Sequence, residues 1–275
     1  MNYRHSYHAG NHAEVFKHSV LVLLIEHLLK KSRPFMVLDT HAGPGMYDLG
    51  SAEAQKTGEA VEGIGRVFGK SIPTAEPYLK IVREFNQGSA LRYYPGSPGI
   101  VQVLLRDQDR LIACELRDDD AAILRSNFKN DRRVSVHHRD GYEAMLAFVP
   151  PRERRGLVFI DPPFEAPDEF NRLGEALTSA VQKWPTGIFA VWYPIKDRST
   201  IRPLRRRLKE IEFGKCLSVE FLLFPEDGER LAGSGMTVCN PPWNFDEVLE
   251  DLGADLLTAF ASPHGRWAVD RQDRE

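Results

Sequence analysis

Apolar and polar positions follow two different periods along this chain. Residues 11–31 carry Val15, Val20, Leu24 and Leu28 among their apolar positions, with basic residues toward the C-terminal end, which predicts a helix. Pro34 ends it, and Phe35-Met-Val-Leu-Asp39 reads as a short buried strand running into the glycine-bearing turn Thr40-His-Ala-Gly-Pro-Gly45. From about 50 to 106 the strand signals disappear. There 57–68 and 77–85 look helical, and Tyr94-Pro-Gly-Ser-Pro98 looks like a turn into a further helix, so a mostly helical insertion is expected.

The alternation then returns. Strands are predicted at 110–116, 134–138, 156–160 and 187–193, separated by helices at 118–127, from Tyr142, at 168–182 and at 200–210. Strands at 216–224 and 236–239, joined by a charged, glycine-bearing connection, suggest an antiparallel hairpin, and 245–260 a last helix. The final ten residues look frayed. Alternating buried strands and helices predict a doubly wound α/β fold with a mostly parallel sheet, as one domain over 1–275.

Composition narrows the class. The chain has 275 residues, 42% of them hydrophobic, enough for one large domain or a domain with an insertion. Its three cysteines form no Cys-x-x-Cys pair, so neither a disulfide framework nor a zinc knuckle is indicated. The longest apolar run, 19–25, falls far short of the roughly 20 residues of a membrane span, and the N-terminus lacks a signal peptide's apolar segment. A reduced, cytoplasmic setting is therefore expected.

The formal charge of −3 argues against a strongly basic nucleic-acid binder and first suggests a small-molecule enzyme. That sum hides segregation. Between 196 and 209 stand seven basic residues against Asp197 alone, whereas 245–255 holds five acids and no base. The basic helix, with Arg205, Arg206 and Arg207, is thus a candidate phosphate-tracking face.

In a doubly wound sheet the ligand lies off the carboxyl ends of the strands. The turn after Asp39 lets a cofactor approach the backbone closely, and an acid at that strand end suits ribose hydroxyls or a positively charged cofactor. No Gly-Lys-Ser/Thr follows, and position 48 is Asp where a dinucleotide fingerprint has its third glycine. Two further strands end in acids. Glu115 could accept both hydroxyls of a ribose, and Asp140, before Gly141, could read an adenine amino group.

Asp161-Pro-Pro-Phe164 decides between these chemistries. An exocyclic adenine amine is a poor nucleophile because its lone pair is delocalised into the ring. Hydrogen bonds from its N–H groups to Asp161 and to the Pro162 carbonyl would let the nitrogen pyramidalise. The prolines present that carbonyl rigidly, and Phe164 offers a face for a flipped base, worth about 1–3 kcal/mol. Asn240-Pro-Pro-Trp243 fits the same pattern, but it follows a strand of reversed polarity and should face away from the cofactor side. His8 and His12 are four residues apart, yet Gly10 interrupts any helix between them and no cysteine is near. No metal is expected, and residues 1–18 are read instead as a polar lid over the active site.

The strings Tyr3-Arg-His-Ser-Tyr-His-Ala-Gly-Asn-His12, Lys17-His18, Asp39-Thr-His-Ala-Gly43, Tyr93-Tyr-Pro-Gly-Ser-Pro98, Asp161-Pro-Pro-Phe164 and Asn240-Pro-Pro-Trp243 together resemble the bacterial 23S ribosomal RNA adenine-N6 methyltransferases of the RlmJ type. The resemblance covers essentially the whole chain. It implies a Rossmann-like fold with a seven-stranded, mostly parallel sheet, its last strand antiparallel, and a helical insertion at 50–106. It also implies methyl transfer from S-adenosyl-L-methionine, leaving S-adenosyl-L-homocysteine. It places His18, His41, Ser97, Glu115, Asp140 and Gly141 at the cofactor, with Lys17 as a contact to the cofactor carboxylate. Asp161 becomes the catalytic acceptor and Tyr3 a substrate neighbour. The implied partner is 23S ribosomal RNA, free or in an early assembly particle, and the chain is expected to act as a monomer without a membrane. Asp-Pro-Pro-aromatic does not distinguish nucleic acids, so an adenine-N6 DNA methyltransferase is the alternative reading.

Overall fold

The computed structural model describes residues 4–88, 90–166, 168–211 and 214–273. After a 3-10 turn at His5–Tyr7, helix α1 (His12–Leu29) begins where the Asn11 side chain accepts the Glu14 backbone N–H at 2.9 Å. Most of α1 is buried, its apolar residues together with His12, Glu14, Lys17, His18 and Ser19 of its first half. Residues 12–18, within the stretch expected to be a lid, are therefore part of the protein's interior.

Strand β1 (Met36–Asp39) leads into an excursion: β2 (Met46–Asp48), α2 (Ala52–Thr57), α3 (Glu59–Glu62), α4 (Ile64–Val67), a 3-10 turn at Pro73–Ala75, α5 (Glu76–Phe85) and β3 (Tyr93–Pro95). β2 and β3 pair antiparallel, a two-stranded piece that the apolar pattern did not reveal. The single helix expected over 57–68 is broken by its glycines. Gly58 sits at φ +64°, and a Cβ on Gly63 would lie 2.1 Å from the Gly10 carbonyl oxygen, which accepts the Ile64 N–H at 2.7 Å.

The chain rejoins the sheet through α6 (Ser97–Leu104). There follow β4 (Arg110–Glu115), α7 (Asp118–Phe128), β5 (Val134–His138), α8 (Gly141–Phe148), β6 (Gly156–Ile160), α9 (Glu169–Lys183), β7 (Ile188–Ile195), α10 (Arg198–Glu210), β8 (Lys215–Leu222), β9 (Gly233–Cys239), α11 (Phe245–Phe260) and β10 (Arg266–Asp273). The sheet has the order β10-β8-β9-β7-β6-β1-β4-β5. From β7 to β5 all pairs are parallel, while β9 runs antiparallel to β7 and β8, and β10 antiparallel to β8.

Strand side chains alternate between two cores. Val37 and Phe159 join α1, α5 and α11 on one face, and Leu38 and Ile160 join α8, α9 and α10 on the other. The sheet has eight strands rather than seven, because 266–273 are not frayed. They pair with β8 along their whole length, and Trp267 packs its ring 5.6 Å from Phe16 and 5.7 Å from Phe221. Among the described residues no helix is long and apolar enough to cross a membrane.

Candidate active site

The carboxyl ends of β1, β4, β5 and β6 border a cavity of about 370 Å³. His41, Ser97, Glu115, Asp140 and Gly141 line it, as do Lys17 and His18 from α1 and Asp161 from the end of β6. Parallel strands that end at one edge bring these residues together across 144 positions of sequence. Pro163 lines the cavity, whereas Pro162 and Phe164 do not.

One wall is acidic. Glu115 accepts the Gly43 N–H at 2.9 Å and the Arg117 N–H at 2.8 Å, and burial pushes its carboxyl up. Asp140 accepts the Tyr142 and Glu143 N–H groups, capping α8, and meets Arg172 at 2.8 Å. Burial opposes its charge, but those donors outweigh burial and hold the carboxyl low. A Cβ on Gly141 would lie 2.3 Å from the Thr40 carbonyl oxygen, so only glycine lets α8 start this close to β1. His41 stands edge-on to Tyr142, and burial lowers its imidazole to about 4, leaving it neutral near pH 7.

The opposite wall holds charges shut away from water. Lys17, 2% exposed, places its ammonium between the carboxylates of Glu14 and Asp161 and 5.0 Å from the Trp192 ring centroid. Burial would lower the Lys17 pKa, but the two carboxylates hold it above its ordinary value. Asp161 is pushed up by burial and drawn back by Lys17. Lys17 thus lines the cavity while pairing with two protein carboxylates, Glu14 and Asp161. Glu14 also meets His5 at 3.1 Å. His18 bonds through Nδ1 to the Tyr94 hydroxyl at 2.8 Å, which in turn meets the Tyr78 hydroxyl at 3.0 Å, and burial lowers His18 to about 3.

Neither Glu14 nor His5 is singled out as a site residue by the sequence. The usable signal was the spacing: Glu14, Lys17 and His18 stand at i, i+3 and i+4 on one helix face. Asp39 is fully buried at the end of β1, and neither of its oxygens has a partner at hydrogen-bond geometry. Burial pushes its carboxyl up to about 7; Asp161 adds to the shift, and Ser97 and the His41 backbone partly offset it.

Other predicted residues fall elsewhere. Phe164 adopts φ +51° and rests against Phe170 and Trp192, with centroids 5.4 and 6.3 Å away. Asn240 lies at the opposite edge of the sheet, where its amide donates to the carbonyls of Pro185 at 2.7 Å and Gly187 at 2.8 Å. His8 meets Glu59, and His12 stacks edge-on to Phe224. Tyr3 lies outside the described residues. On α10, Arg205 pairs with Glu220 and Asp270, and Arg207 with Glu210, while Arg206 is exposed. All three lie in the half of α10 that runs away from the cavity edge.

Sheet order, switch point and cavity together define a Rossmann-like methyltransferase fold. The family model described as "Ribosomal RNA large subunit methyltransferase D, RlmJ" matches residues 32–272. Ribosomal RNA large subunit methyltransferase J of Escherichia coli (strain K12) is 42% identical over 255 residues, covering 92% of this chain and 91% of the relative. The protein of that name from Haemophilus influenzae (strain ATCC 51907 / DSM 11121 / KW20 / Rd) is 41% identical over 276 residues, 98% of both. A crystal structure of protein LPL1258 from Legionella pneumophila superposes with a TM-score of 0.88 at 34% identity, covering 96% of this chain and 98% of that one. The chain belongs to the RlmJ family of large-subunit ribosomal RNA methyltransferases.

Proposed function

We propose that this chain transfers a methyl group from S-adenosyl-L-methionine to N6 of an adenine in 23S ribosomal RNA, with Asp161 as the group that receives the amine. The observation that carries this reading is the convergence of Asp161 with the acid-lined cavity at one sheet edge. The relatives' names point to ribosomal RNA, so the DNA alternative is not carried forward.

The residues present suit the cofactor. The cavity falls within the range of small-molecule sites, and Glu115, on its lining, offers a carboxylate to ribose hydroxyls. When bound, S-adenosyl-L-methionine supplies an electrophilic methyl group on a sulfonium. Asp161 accepts one N6–H, and the Pro162 carbonyl, rigid between two ring-constrained residues, accepts the other. The Lys17 ammonium fixes the orientation of the Asp161 carboxylate. As N6 becomes cationic its proton turns acidic, and Asp161, already pushed up by burial, is placed to take it. This is catalysis by positioning and electrostatics. Phe164 reaches a base only from its place beside Trp192.

The chain is proposed to act as a monomer in the cytoplasm, on free RNA or an early assembly particle. The test is incorporation of tritiated methyl groups into 23S RNA, assembled subunits and duplex DNA, followed by nucleoside digestion. Label recovered as N6-methyladenosine from RNA supports the reading; label in DNA alone overturns it.

A further inference from the structure

The sheet register gathers three connections that are far apart in sequence. Met36 pairs with Arg110 on one side and with Gly156 on the other, so the segments entering β1, β4 and β6 lie side by side. They form the amino-terminal edge of the sheet, opposite Asp161. Over 30–33, 106–110 and 152–155 there are eight cations and three acids, a local charge of +5 in a chain whose total is −3.

Two of those acids are already committed. Asp109 meets Arg106 at 2.7 Å and Glu153 meets Arg110 at 2.7 Å, leaving Asp107. Lys30, Lys31, Arg33, Arg152 and Arg154 are exposed, and none makes an ion pair with another described residue. The surface is also built. Arg106 donates to the carbonyls of Lys31 and Arg33, Arg155 donates to that of Arg33, and both guanidiniums lie about 6 Å from the Phe35 ring centroid. On α10, Arg198, Arg205 and Arg207 pair with acids and Arg202 and Arg206 are exposed, so the edge presents more exposed cations outside ion pairs than that helix does. Glu26 faces Lys30 and Glu153 faces Arg152 as well as Arg110, yet cations still outnumber acids, and a polyanion relieves the repulsion among them.

We propose that this edge is a second phosphate-binding surface, holding a segment of the ribosomal RNA remote from the adenine presented to Asp161. The inference rests on the ribosomal RNA reading above. From Lys17 to Leu29 is twelve residues of helix, about 18 Å through the protein, and the two surfaces stand at opposite edges of the sheet, so an RNA that reaches both must pass round the domain. None of the exposed large hydrophobic residues lies in the three segments, so the surface offers nothing to insert into a lipid bilayer.

The test is a variant carrying Lys31→Gln, Arg33→Gln, Arg152→Gln and Arg154→Gln, with unchanged melting temperature and cofactor affinity as the check on folding. Binding of 23S RNA is measured between about 50 and 200 mM salt. The slope of log affinity against log salt should flatten by about 3, and KM for 23S RNA should rise about tenfold or more. KM for the shortest transcript that the wild type methylates should not change. An unchanged slope, or equal losses on both RNAs, overturns the proposal, as does an unchanged RNA slope with lost binding to phosphatidylglycerol vesicles. If the wild type methylates neither RNA while the slope still flattens, the functional reading fails and the surface stands.

Discussion

Lys17 on α1 places its ammonium against the carboxylate of Asp161, 144 residues later at the end of β6, with Glu14 on its other side. Two carboxylates and one ammonium are thereby buried together, and each depends on the others for a counter-charge.

Removing the cation should therefore do two things. Lys17→Met leaves Asp161 and Glu14 uncompensated, which should cost about 3–5 kcal/mol of stability. It should also lower kcat for methyl transfer. Urea unfolding and tritium incorporation measure the two; a fully active, equally stable variant contradicts the pairing.

Asp161 and Asn240 follow the same sequence pattern and separate by sheet polarity. Asp161→Ala should abolish transfer while cofactor still binds by calorimetry. Asn240→Ala should leave kcat intact and lower stability by about 1–3 kcal/mol, because it exposes two carbonyls that lose their donor. The reverse pattern would exchange their roles.

The pH dependence should carry the signature of Asp39. Its carboxyl ionises near pH 4 in the unfolded chain and near 7 in the folded one, so between those values the unfolded state binds fewer protons. Stability from this group is present below about pH 4 and is lost as pH rises to about 7. Asp39→Asn should remove that loss, making the variant more stable than wild type at pH 8 by up to about 4 kcal/mol. Denaturant curves at pH 5 and pH 8 would reveal no such difference if Asp39 were solvated.

On α10 the expected cost is to the fold. Arg205→Gln breaks the pair with the 6% exposed Glu220 and should lower the melting temperature, whereas Arg206→Gln should leave it unchanged. Neither should alter the salt slope of RNA binding. A flatter slope for Arg206→Gln alone would return α10 to the RNA surface.

Much of this architecture was legible in local pattern. The helices at 11–31 and 245–260, the strands ending in Asp39, Glu115 and Asp161, and the reversed strand before Asn240 all follow from period, glycine and proline. So did the placement of Glu115, Asp140 and Asp161 on the cavity, because in a parallel sheet every strand end is also a site edge. Strand β10 does not stand out in the pattern although Trp267 and Val269 share one face, since these eight residues gain a partner only when β8 lies beside them.

Charge was the least legible property. The run at 196–209 reads as a free basic face, yet Glu220 and Asp270, distant in sequence, pair with its Arg198 and Arg205. Cations from 30–33 and 152–155, unremarkable where they stand, are brought together by the β1–β6 register. The sequence by itself determined which elements form and which side chains end each strand, because those depend on neighbours a few residues away. Only the tertiary structure decided which charges meet a counter-charge and which face solvent, because Coulomb energy depends on distance through space and on burial.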